Sequence, residues 1–361
     1  EIWKRNEKAL VIFEHLSDNP EEKELANHGI MLWGNLHYSY SDAAKGNNAD
    51  LSDAIYSSTR RGWNQPNLVT YMESHDEERI VLECKNSGKT EGSYNIKLLP
   101  TALDRVELAS LFMLPLPGPK MIWQFGELGY DYSINTCTNP AEVKPECRLS
   151  PKPILWNYFD NANRKDLYKM MGRLNYLKVN YDEFASASTY TGNLTGETKW
   201  YRLSKGADHV VIVGNFATSS RTVTLDFPAT GTWNDYFSNT TLSVTAVSQP
   251  VTLGPGEFRL FSTRKFADPF APNAVSVTKG RNGGLSLFPN PAGEKVRLRS
   301  DRPLGRVVVR NMAGQVVLEA DFEGVQEAEL RLDNLIPGMY LVFSEGSGKA
   351  NGSLPAKLLV Y

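Results

Sequence analysis

Residues 1–182 alternate between short apolar runs typical of buried strands and segments with helical periodicity. The strand-like runs are KALVIFEH, HGIMLWGN, NLVTYM and KMIWQFGELG. The helical segments are LPTALDRVELASLFML, for which Thr101 is the predicted N-cap, and NANRKDLYKMMGRLNYLKV. Strands separated by helices predict a parallel sheet. Because a complete (β/α)8 barrel takes about 250 residues, this segment predicts only the C-terminal half of such a barrel, with strands 5–8.

The pattern changes after residue 182, where short alternating runs are separated by turn residues. Residues 183–263 therefore predict an all-β domain. Residues 264–283 are rich in Pro, Gly, Ala and Asn without a clear period, and predict a linker. Residues 284–361 again show short strand-like runs and predict a small β sandwich. The predicted fold class is a multidomain chain, with half of a TIM barrel followed by two all-β domains.

Composition and charge exclude several classes of partner. The chain of 361 residues has a formal net charge of −2 without any charge block, so neither nucleic acid nor an anionic membrane is expected as a partner. Its apolar runs are shorter than the roughly 18 residues of a membrane span, and no transmembrane segment is predicted. The N-terminus does not have the pattern of a signal peptide, and we expect the chain to begin in the middle of a domain.

The three cysteines are compatible with two chemical states. Cys137 and Cys147 lie ten residues apart in a loop, and Cys84 stands alone. A Cys137–Cys147 bridge is one possibility if the compartment is oxidising, and reduced thiols are the other. The cysteine and histidine spacings do not predict a zinc site, so no metal ligands are assigned.

Ionisable residues follow the predicted strands, at the edge where the loops of a parallel barrel meet. Glu14 follows the first strand, His75 and Asp76 follow the third, and Glu127 follows the fourth. Glycosidic cleavage needs one carboxyl group to protonate the leaving oxygen and another carboxylate to stabilise or attack the anomeric carbon. The pattern therefore indicates a glycosidase site, while the alternative for each carboxylate is a structural role at a strand end.

Three of these segments resemble the α-amylase family, glycoside hydrolase family 13. ALVIFEH, YMESHDEERI and PLPGPKMIWQFGELGYD are similar to that family's fifth, seventh and eighth strands, in the same order. The resemblance implies that Glu14 is the general acid/base, that Asp76 binds the 2- and 3-hydroxyls of the sugar, and that His75 hydrogen-bonds the same sugar. Candidate surfaces for stacking on glucose rings, with core packing as the alternative for each, are Trp33, Trp63, Tyr71, Trp123 and Tyr130.

The family's nucleophile, an Asp within a Gly-x-Arg-x-Asp stretch, is not found before Glu14 in this sequence. We therefore expect it to precede Glu1, as part of a longer enzyme. The resemblance implies a retaining enzyme that cleaves α-1,4 bonds of starch or glycogen in its full-length form, while the fragment alone is expected to be inactive. No cofactor is assigned, although the missing N-terminal part could bind calcium. The alternatives are a 1,4-α-glucan branching or transfer enzyme and a non-catalytic glucan-binding surface protein.

The last 78 residues resemble the C-terminal sorting domain of type IX secretion cargo. The segments that carry the resemblance are LSLFPNPAGEKVRLR, VVVRNMAGQVVLEA, LRLDNLIPGMYLVFS and AKLLVY. The resemblance implies that residues 284–361 engage the type IX secretion machinery. The product would then be secreted or attached to the cell surface after crossing the outer membrane. An ordinary adhesive or carbohydrate-binding β module is the alternative.

Overall fold

The chain forms two compact units, Glu1–Phe270 and Ala271–Tyr361. None of the helices in the described part of the chain has the length and apolar character needed to cross a membrane. The predicted linker 264–283 falls largely on residues outside the described ranges. The computed structural model describes residues 1–55, 58–185, 189–271, 285–300, 303–311, 314–322, 324–345 and 356–360.

A parallel sheet begins the first unit, in the order β1-β2-β3. Its strands are β1 (Ile12–Phe13), β2 (Met31–Asn35) and β3 (Leu68–Tyr71). All four residues of β3 are buried, as expected for a parallel strand that is covered on both faces. The described helices of this unit are α1 (Ile2–Arg5), α2 (Asn19–Asn27), α3 (His37–Lys45), α4 (Ser58–Arg61), α5 (Ile80–Ser87), α6 (Leu99–Leu111), α7 (Ala162–Asn180) and α8 (Asp182–Ala185).

The predicted fourth strand, KMIWQFGELG, is reduced to one parallel bridge between Thr70 and Lys120. Met121 N donates to Thr70 O at 3.1 Å, and the chain then leaves the sheet. Phe125 adopts the left-handed conformation, with φ of 57°, and a 3-10 helix, Gly126–Leu128, follows it. This turn prevents the longer strand that the apolar run predicts.

Helix α6 begins earlier than predicted, because its N-cap is Leu98 rather than Thr101. Pro100 lies in the first turn, where the missing backbone N–H of proline costs nothing. Helix α7 has Asn161 as its N-cap, whose side chain accepts a hydrogen bond from Arg164 N. Both helices therefore correspond to the segments that the periodicity predicts, although α6 begins before the predicted N-cap and ends at Leu111, three residues before the predicted end.

Residues 189–262 form antiparallel sheets, in the region where the sequence predicts an all-β domain. A short hairpin, β4 (Thr90–Glu91) and β5 (Tyr94–Asn95), precedes them. One sheet has the order β11-β10-β13-β8-β7-β6, and the other pairs β12 with β9. The strands are β6 (Thr189–Asn193), β7 (Thr198–Lys205), β8 (Asp208–Asn215), β9 (Arg221–Asp226), β10 (Gly231–Asp235), β11 (Thr240–Val244), β12 (Ser248–Leu253) and β13 (Phe258–Ser262).

The helices and the larger antiparallel sheet share one hydrophobic core, which explains why Glu1–Phe270 is a single compact unit. Phe112, after α6, lies between Tyr201 of β7 and Phe216, with ring centroids 5.5 and 5.3 Å apart. Burial of such large rings provides most of the favourable free energy of folding at this contact. The antiparallel sheet therefore packs directly against the helices of the first unit.

The second unit has two antiparallel sheets around one core, as the predicted β sandwich requires. The sheet orders are β14-β15-β18 and β17-β16-β19-β20. Asn290 accepts a hydrogen bond from Leu359 N at 2.9 Å and donates to Lys357 O at 2.6 Å, which attaches the last strand. The strands are β14 (Leu285–Phe288), β15 (Lys295–Ser300), β16 (Arg306–Asn311), β17 (Val316–Asp321), β18 (Glu327–Arg331), β19 (Gly338–Glu345) and β20 (Ala356–Val360).

Arg105 is a fully buried cation that joins three parts of the first unit. Its Nε donates to Ala44 O at 2.8 Å, and its Nη2 donates to Ala43 O at 2.6 Å. The same Nη2 donates to Phe216 O at 2.7 Å. The first two carbonyls lie near the end of α3, where backbone acceptors lack helical partners. The guanidinium thus caps α3 and connects it to α6 and the antiparallel sheet.

We expect Arg105→Met to lower the free energy of unfolding by about 2 kcal/mol, because three buried carbonyls lose their donors while the apolar volume is nearly kept. The shift of the urea midpoint of the complete protein measures this loss. Arg202→Met is the matched control, since Arg202 makes one long hydrogen bond of 3.5 Å at the surface. Equal midpoints for the two variants would refute the structural role of Arg105.

Candidate active site

The carboxyl ends of β1 and β3 bring three predicted site residues together. Glu14 directly follows β1, and the segment after β3 carries His75 and Asp76. His75 Nε2 lies 3.8 Å from Glu14 Oε1 and 3.3 Å from Asp76 Oδ2. One side-chain oxygen or nitrogen of each residue lies within 4.8 Å of those of the other two. We call these three residues the carboxylate cluster.

The carboxylate cluster is open to solvent. The side chains of Glu14, His75 and Asp76 are 50, 42 and 48% exposed. Two carboxylates and an imidazole in this arrangement can transfer protons and accept hydrogen bonds from hydroxyl groups. The same oxygen and nitrogen atoms could also hold a divalent metal ion, although exposed acidic groups often lie together without one.

Two tryptophans lie close to the His75 ring. The ring centroid of Trp33, on β2, lies 5.9 Å from that of His75, and the centroid of Trp123 lies 5.8 Å from it. Both indoles are partly exposed, so part of each remains accessible. Aromatic surfaces beside a polar cluster suit a ligand that has apolar ring faces and hydroxyl edges. The structure thus brings Trp33 and Trp123 to the carboxylate cluster.

Tyr130 differs from the prediction, because only 1% of its surface is exposed. Its ring stacks on Phe125 with the centroids 5.9 Å apart, and its hydroxyl donates to Pro153 O at 3.0 Å. Neither face is available to a sugar in this structure. Trp63 and Tyr71 are buried as well, which corresponds to the core-packing alternative.

Buried polar groups beneath the cluster hold the segment after β3. Glu73 Oε1 accepts a hydrogen bond from Ile80 N at 2.7 Å, at the start of α5. Burial raises the pKa of Glu73, and the nearby Arg79 opposes that rise. Burial also raises the pKa of the Tyr71 hydroxyl, with smaller contributions from the charges of Glu77, Glu14 and Asp76.

Glu77 and Glu78, the acidic residues after Asp76, accept hydrogen bonds from neighbouring polar groups. Glu77 accepts hydrogen bonds from Asn35 Nδ2, at 2.5 Å, and from Ser74 Oγ. Arg79 is buried and donates to the Ser74 carbonyl at 2.5 Å. These contacts fix the turn that carries His75 and Asp76.

A disulfide bond joins Cys137 and Cys147, which decides between the two predicted cysteine states. Arg148 directly follows the bridge, and its Nη2 donates to Asp76 Oδ1 at 3.1 Å and to Asp76 O at 2.8 Å. Arg148 was not among the residues predicted from the sequence. The available signal was its position beside a predicted bridge, in the loop after the fourth strand.

Glu127, the carboxylate predicted at the end of the fourth strand, lies beside the carboxylate cluster rather than in it. It lines an open cleft of about 330 Å³. Trp123 belongs to both the cleft and the aromatic pair around His75. An extended ligand at the cluster could therefore continue into this cleft. The other residues of its lining are Ile122, Gln124, Phe125, Ile154 and Trp156.

The sequence of the second unit matches a family model described as a secretion system C-terminal sorting domain. The match covers residues 286–354. It confirms the predicted sorting domain and indicates export, with the product secreted or held at the cell surface. No curated protein matches the chain.

Solved α-amylases share the fold of the chain. The α-amylase of Geobacillus thermoleovorans, solved with acarbose, has 13% identity and a TM-score of 0.56, over 74% of this chain and 56% of that enzyme. An Anoxybacillus α-amylase has 14% identity and a TM-score of 0.54, over 74% of this chain and 54% of the enzyme. The Gamma-CGTase of the alkalophilic Bacillus clarkii has 14% identity and a TM-score of 0.54, over 99% of this chain and 50% of that enzyme.

The chain spans about half the length of these solved enzymes. Identities of 13 to 14% establish a common fold and leave substrate and activity open. The chain therefore combines a fold shared with solved α-amylases and a secretion-system sorting domain.

Proposed function

We propose that the chain is the C-terminal portion of a secreted, retaining glycoside hydrolase that cleaves α-1,4 bonds of starch or glycogen. The observation that carries the proposal is the carboxylate cluster, with Trp33 and Trp123 beside its His75 ring, at the carboxyl ends of parallel strands. Catalytic groups of parallel α/β barrels lie at this edge. The fold shared with α-amylases supports the same assignment.

In the proposed reaction, Glu14 donates a proton to the glycosidic oxygen as the bond to the anomeric carbon breaks. It later removes a proton from the water that releases the product. Asp76 and His75 bind the ring hydroxyls, and their hydrogen bonds strengthen as positive charge develops on the sugar ring. The nucleophile that forms the glycosyl intermediate is an Asp of the protein segment that precedes Glu1.

The edges of the parallel sheet support the proposal that residues 1–182 are half of a barrel. At one edge, Leu10, Ile12 and Phe13 are exposed, and at the other edge Ile122 is exposed. Apolar side chains beside unpaired strand edges need a cover in a stable enzyme. Four further strands, contributed from before Glu1, would pair with both edges and close the barrel. Residues 183–263 would then correspond to the family's C-terminal β domain.

Two features support export and a glucan ligand. The Cys137–Cys147 bond fits an oxidising compartment, in agreement with the sorting domain. AmyP, another structure with this fold at 14% identity and a TM-score of 0.53, was solved with maltose. We extend ligands of this class to the carboxylate cluster, with Trp33 and Trp123 as stacking surfaces. Calcium, if required, would bind in the segment before Glu1.

Incubating the complete protein with amylose and glycogen tests the proposal. We expect reducing ends to increase, because water accepts the glycosyl group. An increase in branch points without new reducing ends would indicate a branching or transfer enzyme, a class represented among the shared folds by the Gamma-CGTase. Binding of amylose without either change would refute catalysis and favour a glucan-binding surface protein.

A further inference from the structure

We propose that Arg148 is a positioning residue that orients Asp76, and that the disulfide-closed loop 133–153 holds Arg148 in place. We call this segment the clamp loop. The inference rests on the proposed function, because it assigns Arg148 a role in the same reaction. It adds a group that the carboxylate cluster itself does not contain.

Arg148 contacts both the side chain and the backbone of Asp76. Its Nη2 donates to Asp76 Oδ1 at 3.1 Å and to the Asp76 carbonyl at 2.8 Å. The other carboxylate oxygen, Oδ2, lies 3.3 Å from His75 Nε2. The carboxylate therefore lies between a guanidinium and an imidazole, and a rotation would lengthen at least one of these contacts.

The stability gained from this ion pair is small, since both side chains are nearly half exposed to solvent. The ion pair instead orients the Asp76 carboxylate, because an arginine presents its donors in a rigid planar group. A displacement of about 1 Å in a reacting group can lower a rate about 10²-fold. The contact thus has a larger expected effect on turnover than on folding.

The clamp loop is closed immediately before Arg148. The disulfide of Cys137 and Cys147 forms a ring, and Lys152 Nζ donates to Cys147 O at 2.6 Å and to Thr136 O at 3.0 Å. The same ammonium group also donates to the Ile134 carbonyl. One cation therefore binds three carbonyls from both ends of the loop, which limits movement of the backbone at Arg148.

The clamp loop is also attached to the segment that carries Asp76. Glu78 Oε1 accepts a hydrogen bond from Ser133 Oγ at 2.6 Å, and Glu78 Oε2 accepts one from Ile134 N at 3.1 Å. The beginning of the loop thus binds Glu78, which lies two positions after Asp76 in the sequence. Arg148 binds Asp76 itself. Two attachments, with a disulfide between them in the chain, set the position of the guanidinium.

The test compares Arg148→Gln, Arg148→Lys and the double variant Cys137→Ser/Cys147→Ser in the complete protein, with kcat and KM measured on maltoheptaose. We expect Arg148→Gln to lower kcat about 10-fold to 100-fold with little change in KM, since orientation is lost and ground-state binding is kept. Arg148→Lys should recover part of the loss. The double serine variant should lower kcat as well. Made in the Arg148→Gln background, the serine changes should lower kcat by less than about a further 2-fold, because both changes act through the one contact between Arg148 and Asp76.

Arg221→Gln is the matched control, because Arg221 forms a similarly exposed pair with Glu197 at 2.8 Å. We expect it to leave kcat unchanged. An Arg148→Gln variant with unchanged kcat, or with only a raised KM, would overturn the inference, as would additive effects of the serine and glutamine changes. If the serine variant does not fold, the glutamine and lysine variants decide alone.

The wild-type measurement separates the two proposals. A complete wild-type protein without turnover of maltoheptaose, amylose or glycogen refutes the proposed function, and the role of Arg148 with it. If the wild-type protein cleaves these substrates and the Arg148→Gln variant has the same kcat, only the positioning role of Arg148 is overturned.

Discussion

Glu14→Gln is expected to lower kcat of the complete protein on maltoheptaose by about 10²-fold to 10⁴-fold, the contribution typical of general acid–base catalysis. The amide keeps the size and much of the hydrogen bonding of the carboxyl group, yet it cannot protonate the glycosidic oxygen. Initial rates of reducing-end formation measure the loss. The cluster geometry, with Glu14 Oε1 3.8 Å from His75 Nε2, places the change within the site.

The leaving group distinguishes an acid from a merely structural carboxylate. With maltosyl fluoride, whose leaving group needs less protonation, the loss at the bond-breaking step should be much smaller than with maltoheptaose. Glu24→Gln, on the exposed face of α2, is the control and should retain wild-type rates. Equal losses at the bond-breaking step on both substrates, or full activity on maltoheptaose, would contradict the assignment of Glu14.

Asp76→Asn is expected to lower kcat by about 10²-fold to 10³-fold, the range found when one electrostatic contact to a developing charge is removed. The carboxylate is expected to stabilise positive charge on the sugar ring, whereas a neutral amide provides much less of this effect. Because charge develops with either leaving group, the loss should be similar on maltoheptaose and maltosyl fluoride. The same kinetic assays measure it.

This second pattern separates Asp76 from Glu14. Asp53→Asn, a change of an exposed carboxylate in the connection from β2 to β3, serves as the control. A loss confined to maltoheptaose would instead indicate that Asp76 donates the proton. Unchanged kcat on both substrates would remove Asp76 from the reaction.

The strands around the site were predictable where burial and local pattern agree. Leu68–Tyr71 is an apolar run that is buried at every position, and the polar residues after it had to leave the sheet. His75 and Asp76 could thus be placed at the strand end from sequence. The fourth strand was overestimated, because its apolar residues do not reveal the left-handed turn at Phe125.

The remaining site features depend on contacts between distant parts of the chain. Arg148 reaches Asp76 from 72 residues away, through a loop whose path has no local sequence signal. The burial of Tyr130 could not be predicted for the same reason, since an aromatic residue after a strand can face either solvent or, as here, Phe125. Glu73 is part of the conspicuous polar motif, but its burial beneath the cluster follows from the packing of α5 rather than from the motif.

The most direct test of the central claim is a crystal structure of the complete Glu14→Gln protein with maltoheptaose. We expect a glucose ring bound by His75 and Asp76, with the side-chain amide introduced at position 14 about 3 Å from the glycosidic oxygen, within hydrogen-bond reach. We also expect an Asp carboxylate, contributed from before Glu1, on the opposite side of the anomeric carbon. A glucan bound away from the carboxylate cluster, or the absence of such an Asp, would contradict the retaining mechanism proposed for this chain.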